Sequence, residues 1–472
     1  MLDADFNAAL DVANELARAW LAGTDERSVT PPADAATVLA SLPDALPPTG
    51  MEPAAVIREL AACAEPGLAG TGSGRYLALV TGGVLPSALG ADWLVSAWDQ
   101  NASFGEFYPA AVAIEHAAGR WILDLLDLPE ESAVGFTTGA QGANTATLLA
   151  ARNAVLAAHG YDVEARGLQG APRVNIVVGD EQHSTVFRSL RFSGLGSDTA
   201  IRIPTDERGR MVPLALTAAL ELLDGPTIVY AQAGNVNGGG FDPIAEIADI
   251  VDAHRGRRSV DDTWFHIDGA FGLWVRAGRR HRSLADGSER ADSWTCDAHK
   301  WLNVPYDCGI SIVRDPQVLA RAIGLQAAYL PEPGGIPNPV DLVPEASRRA
   351  RGIPVWAAIR ALGRDGMVDL IDRSCDRAAE LADRLQHSAG VHVRAAEINQ
   401  IIIGCDATPT RSAHERTRDV LAAVVAEGDC YPSSTVWKGE FGIRLSVSNW
   451  RTDEDDVNAI VASIERAVTR SA

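Results

Sequence analysis

The chain has 472 residues, 47% of them apolar, enough for a large core divided among roughly two to four structural units. A formal net charge of −21 repels phosphates and excludes a general affinity for nucleic acid or an anionic membrane surface. No apolar run reaches the roughly 20 residues that span a bilayer, and six scattered cysteines without a CxxC pair fit reduced thiols in a cytoplasmic protein.

The first predicted element is an amphipathic helix over 5–22, with Phe6, Leu10, Ala13, Leu16 and Trp20 at helical spacing. Its stripe packs either on its own domain or on a partner subunit. Pro31, Pro32, Pro43, Pro47 and Pro48 then break the chain into short pieces. From about residue 130, strands alternate with helices. The apolar runs Val174–Val178, Thr227–Ala231, Trp264–Ile267 and Gly309–Val313 read as buried strands, and Ala140–Ala158 and Ile244–Ala253 as helices. Such alternation predicts an α/β fold with a mostly parallel sheet covered on both faces. Residues 330–347 hold five prolines, two glycines and no tyrosine, and read equally as a working loop or a plain linker. A long helix near 355–387, strands Gln400–Gly404 and Gly442–Val447, and a closing helix near 453–469 predict a smaller α+β domain. The expected division is an N-terminal segment 1–75, a large domain 76–350 and a small domain 351–472.

Of 41 basic residues only Lys300 and Lys438 are lysines. A guanidinium stays protonated, whereas a desolvated ammonium can lose its proton and form a Schiff base. Lys438 sits in a polar turn and reads as exposed. Lys300 lies in Asp297-Ala298-His299-Lys300-Trp301, at the end of a strand, where open α/β sheets bind ligands. Two further elements fall at strand ends. Thr137-Thr138-Gly139-Ala140-Gln141-Gly142-Ala143-Asn144 opens a helix whose free amides suit a phosphate. His266-Ile267-Asp268-Gly269-Ala270 ends a buried strand in an acid that needs a cation or strong donors, either a protonated pyridine or local backbone amides. His183, in Gln182-His183-Ser184, could stack on a planar ring or serve only structure. No GxSxG, HExxH or Walker A pattern occurs, and the arginine-rich stretch Arg276 to Arg282 reads as solvated surface.

Together with Phe241-Asp242-Pro243-Ile244 after Gly234-Asn235, and with Ser347-Arg348-Arg349-Ala350-Arg351, these motifs over residues 75–450 resemble the pyridoxal-phosphate-dependent group II amino-acid decarboxylases. The resemblance implies fold type I, with a seven-stranded sheet in the large domain and a small C-terminal domain. It implies decarboxylation of an L-amino acid through aldimine and quinonoid chemistry at Cα, in a homodimer with shared active sites embraced by the N-terminal segment. Lys300 would carry the cofactor, Asp268 would pair with the ring nitrogen, and His183 and Ala270 would cover its two faces. Thr138, Gly139, Ala140 and Gln141 would hold the phosphate, with His299 nearby and Ser347 reaching in from a neighbouring subunit. Asn235 would stand near the ring hydroxyl, and Leu79, Val80 and Thr81 would form a non-aromatic substrate wall. Typical members carry a loop tyrosine that returns the proton to Cα. Its absence from 330–347 motivates a second expectation, a related carbon–carbon lyase or aldehyde synthase; a non-catalytic homologue is the third.

Overall fold

A computed structural model describes residues 2–325 and 335–471. The chain divides into two compact units, one comprising Met1–Thr81, Glu380–Arg394 and Ile403–Ala472, the other Gly82–Ala379 and Ala395–Ile402.

The second unit is built on a seven-stranded sheet: β1 (Ala133–Thr137), β2 (Asn175–Gly179), β3 (Ile201–Ile203), β4 (Thr227–Gln232), β5 (Thr263–Asp268), β6 (Ser293–Asp297) and β7 (Gly309–Val313), ordered β1-β7-β6-β5-β4-β2-β3. β4, β5 and β7 are buried at every position, which is why they read as continuous apolar runs rather than alternating ones; β6 is equally buried although it carries Ser293, Thr295 and Asp297. The mostly parallel sheet expected from the sequence is present. β7 is the exception, running antiparallel to both β1 and β6.

Of the helices, α1 (Leu2–Ala22) lies in the first unit, and Phe6 and Leu10 on its stripe are 69% and 61% exposed. In the second unit, α2 is Pro109–Leu126, α3 is Ala140–Ala157, and α4 is Ser184–Phe192. α3 buries eleven of its residues, many of them alanines, whose small side chains let it lie close against the sheet. The expected long helix is found as α5 (Gly352–His387), but Gly363 interrupts it at φ 60° and ψ −174°, a break only glycine tolerates easily. A second sheet follows: β8 (Val391–Glu397), β9 (Gln400–Cys405), β10 (Ser433–Trp437) and β11 (Glu440–Ser446), ordered β10-β11-β9-β8. Lys438 and Gly439, both at positive φ, make the two-residue turn of the β10–β11 hairpin, and Lys438 is exposed.

One expectation fails here. Arg276 is buried at 4% exposure, because its guanidinium donates to the Leu126 carbonyl and pairs with Asp127 and Asp286. Those partners offset the cost of desolvating the charge.

Candidate active site

Parallel pairing brings the ends of β4, β5 and β6 to one edge of the large sheet, with Gln232 opposite Asp268. Antiparallel β7 starts at the same edge, its Gly309 registered with Thr137 of β1 and Asp297 of β6. The turn before α3 and the turn carrying Lys300 therefore flank a single residue. A Cβ on Gly309 would come within 2.2 Å of the Gly139 backbone, so glycine permits that approach. Gly82 does the same for the lysine turn, where a Cβ would fall 1.9 Å from the Lys300 carbonyl oxygen.

These elements enclose a cavity of about 200 Å³. Eight expected residues line it: Gly139, Ala140, Gln141, His183, Asp268, Ala270, His299 and Lys300. Gln232, Gly234, Val236, Phe271, Thr185 and Asp297 line it as well.

Lys300 Nζ pairs with Asp297 Oδ2 at 3.1 Å. The other oxygen of Asp297 accepts the Ala140 amide at 2.6 Å, at the positive end of α3. Asp268 is buried and accepts from four donors at long range. Oδ1 takes the Ala270 amide (3.2 Å) and Thr295 Oγ1 (3.4 Å), and Oδ2 takes Asn144 Nδ2 (3.3 Å) and Gln182 Nε2 (3.4 Å). His183 caps α4: its Nδ1 accepts the Thr185 amide at 3.3 Å and lies 2.8 Å from Thr185 Oγ1, while its own amide donates to Gln232 Oε1. His299 Nδ1 lies 3.0 Å from the Cys308 carbonyl and 3.2 Å from its amide, and its ring tilts against Tyr306 at 4.4 Å. Burial holds the His299 pKa below the ordinary histidine value.

The remaining expected residues are not among those that line the cavity. Thr138 is exposed beside it. Asn235 is fully buried with Oδ1 accepting the Asn237 amide, and its Nδ2 has no partner among the described residues. Ser347 is exposed. Leu79 and Val80 adopt left-handed backbone (φ 58° and 57°) in the first unit, with Leu79 exposed and Val80 and Thr81 buried. In the proline-rich segment, residues 330–334 lie outside the described residues, as does Tyr329 immediately before it; Pro339, Val340 and Val343 are buried.

An amine, a carboxylate, an imidazole and a helix N-terminus around one cavity are the groups a phosphorylated pyridine aldehyde requires. A sequence model of the pyridoxal-dependent decarboxylase conserved domain matches residues 37–403. The chain belongs to this family. As a pyridoxal-dependent decarboxylase it is a carboxy-lyase, and its cofactor is pyridoxal 5′-phosphate. It is 28% identical over 432 residues to L-2,4-diaminobutyrate decarboxylase of Rhizobium meliloti (strain 1021), covering 89% of this chain and 83% of that one. It is 27% identical over 409 residues to aromatic-L-amino-acid decarboxylase of Bacillus atrophaeus, covering 83% and 80%. The fold matches that of Oryza sativa TDC, solved with PLP and tryptamine, at a TM-score of 0.90 and 23% identity, covering 99% and 98% of the two chains. It also matches Rhodiola rosea 4-hydroxyphenylacetaldehyde synthase at 0.86 and 21%, covering 99% and 98%.

The donor set fits the cofactor with one exception. The Ala140 amide, expected to face the phosphate, is taken by Asp297. That carboxylate would repel a phosphate dianion. Asp297, and Asn144 and Gln182 as partners of Asp268, all stand in the quoted motifs without having been singled out: a polar side chain inside a motif does not reveal its partner.

Proposed function

We propose that this decarboxylase removes the α-carboxylate of an L-amino acid at a site built on Lys300, Asp268 and His183. The observation that carries this reading is the convergence of the amine, the carboxylate and the imidazole on one cavity, beside the N-terminus of α3. Pyridoxal phosphate, when bound, supplies the electron sink for the pair left behind by departing carbon dioxide. Lys300 would hold the cofactor through Nζ, and Asp268 would keep a proton on its ring nitrogen. His183, its ring fixed by Thr185, and the methyl of Ala270 would cover the ring. The Gly139 and Gln141 amides and Thr138 would hold the phosphate, with His299 nearby, and Asn235 would serve the ring hydroxyl.

The family relatives named above differ in the amino acid they act on, so the family sets the reaction and the pocket wall sets the substrate. Leu79, Val80 and Thr81, proposed as substrate-binding residues, carry no aromatic side chain. We place the enzyme in the cytoplasm, consistent with its six free cysteines. It is proposed to work as a homodimer in which Ser347 of the partner subunit reaches the phosphate. The exposed Phe6 and Leu10 on α1 support that assembly, and sedimentation of the active enzyme as a monomer would contradict it.

The test is borohydride reduction of the cofactor-loaded protein, peptide mapping, and a screen of L-amino acids for carbon dioxide. The pyridoxyl group is expected on Lys300, and Lys300→Ala should retain no covalent cofactor. Label on Lys438, or no carbon dioxide from any amino acid, overturns the reading. A second reading, an aldehyde-forming enzyme, rests on the tyrosine-free segment 330–347, and Tyr329 immediately before that segment counts against it. Ammonia and hydrogen peroxide released with the carbon dioxide would select it.

A further inference from the structure

Four buried side chains that do not line the cavity are linked in single file to Asp268. Trp264 Nε1 donates to Ser293 Oγ at 2.8 Å. Ser293 Oγ lies 2.8 Å from His266 Nδ1, His266 Nε2 lies 3.2 Å from Asn144 Oδ1, and Asn144 Nδ2 donates to Asp268 Oδ2 at 3.3 Å. All belong to the second unit, and Ser293, His266 and Asn144 are at most 1% exposed.

The protons of this chain can be placed from its ends. An ionised carboxylate only accepts, so Asn144 must turn its NH₂ to Asp268 and its carbonyl oxygen to the histidine. An unprotonated Nε2 facing that oxygen at 3.2 Å would set two acceptors against each other, so the His266 proton sits on Nε2. Nδ1 of the neutral ring is then an acceptor and takes the Ser293 hydroxyl proton. Indole N–H only donates, so Trp264 fills a lone pair of that same hydroxyl oxygen. Neutrality is independently favoured, since burial pushes the His266 pKa down to about 4. Thr295 Oγ1, within 3.4 Å of Asp268 Oδ1 and 3.3 Å of Asn144 Oδ1, steadies the same end.

We infer that Trp264, Ser293, His266 and Asn144 form a one-way hydrogen-bond relay that orients the Asp268 carboxylate and sets its basicity toward the cofactor ring nitrogen. They are positioning residues, and the inference rests on the assignment of Asp268 proposed above. Aligned donors polarise one another along such a chain, so a cut two links away is felt at the carboxylate.

The experiment has two arms. In the first, cofactor-free protein labelled with ¹⁵N-histidine is examined by NMR, with His266 assigned from a His266→Gln variant. A neutral ring protonated on Nε2 is expected; an imidazolium, or a proton on Nδ1, overturns the relay. In the second, Asn144→Leu and Ser293→Ala are titrated with pyridoxal phosphate. Asn144→Leu should weaken binding about tenfold, the scale of one hydrogen bond to a charged group. Both variants should alter the visible spectrum of bound cofactor while unfolding cooperatively. Wild-type affinity and spectrum in both would overturn the proposal. Should Asn144→Leu fail to fold, Ser293→Ala decides, since Ser293 acts on Asp268 only through the relay. Wild-type protein that binds no pyridoxal phosphate would remove the active-site reading while leaving the tautomer measurement intact.

Discussion

Asp297 occupies two partners at once, the first amide of α3 through Oδ1 and the Lys300 ammonium through Oδ2. A phosphate arriving at that helix end has to displace a carboxylate and then remain near it. Asparagine at this position keeps the acceptor and removes the charge. Asp297→Asn is therefore expected to tighten pyridoxal phosphate by at least about tenfold, well within the roughly 4 kcal/mol that a like-charge contact at about 4 Å costs at an effective dielectric near 20. Fluorescence titration of the cofactor-free protein checks this, and unchanged or weaker binding contradicts it. At this scale the sequence was partly transparent. Lys300 stood out because arginine had replaced lysine almost everywhere else, and Asp268 because an acid closing a buried strand needs a partner. Asn144 was silent. It sits on α3, and only the fold brings it between His266 and Asp268.

The elements around the site are locked by a buried ion pair in the second unit. Arg348 meets Glu115 of α2 in two contacts of 2.7 and 3.0 Å, and the same two terminal nitrogens also reach the Ala102 and Phe136 carbonyls. Glu115 in turn accepts the Gly352 amide that opens α5. Arg348→Met would leave that carboxylate buried without its cation, a loss of about 3–5 kcal/mol. Denaturant unfolding should register it, and a loss under about 1 kcal/mol would mean that water reaches Glu115. Gly309→Ala tests the neighbouring contact: its methyl must push the Gly139 turn aside, so cofactor affinity should fall while the fold persists. Retained affinity would show that the turn can yield. The strands were legible because burial on both faces writes continuous apolar runs. The reversed direction of β7 was not, since such a run carries no direction. Nor was the break at Gly363, which interrupts an otherwise regular helical stripe.

For the molecule as a whole, two buried groups give opposite acid responses. His266 has a folded pKa of about 4 against an ordinary 6.5, so its contribution is complete above 6.5 and is lost as pH falls through 4. Asp242 is pushed up to about 6 by burial, against the pull of the Met211 and Gln232 amides. Its contribution is present at low pH and is lost as pH rises through 6. In wild type the two partly cancel. Comparison with His266→Gln isolates the first: the stability gap between the proteins should narrow by up to about 3 kcal/mol between about pH 7 and pH 4. A gap independent of pH would show that His266 does not titrate as a buried neutral ring. Fold class was readable at this scale because strand–helix alternation admits few architectures.

The scarcity of lysine also has a practical side. Lys438 crowns the β10–β11 hairpin in full view of solvent, whereas Lys300 is recessed in the cavity. Amine-directed reagents should thus find, besides the α-amine, a single surface handle. A dye or bead attached there would tether the enzyme in one orientation and leave Lys300 untouched.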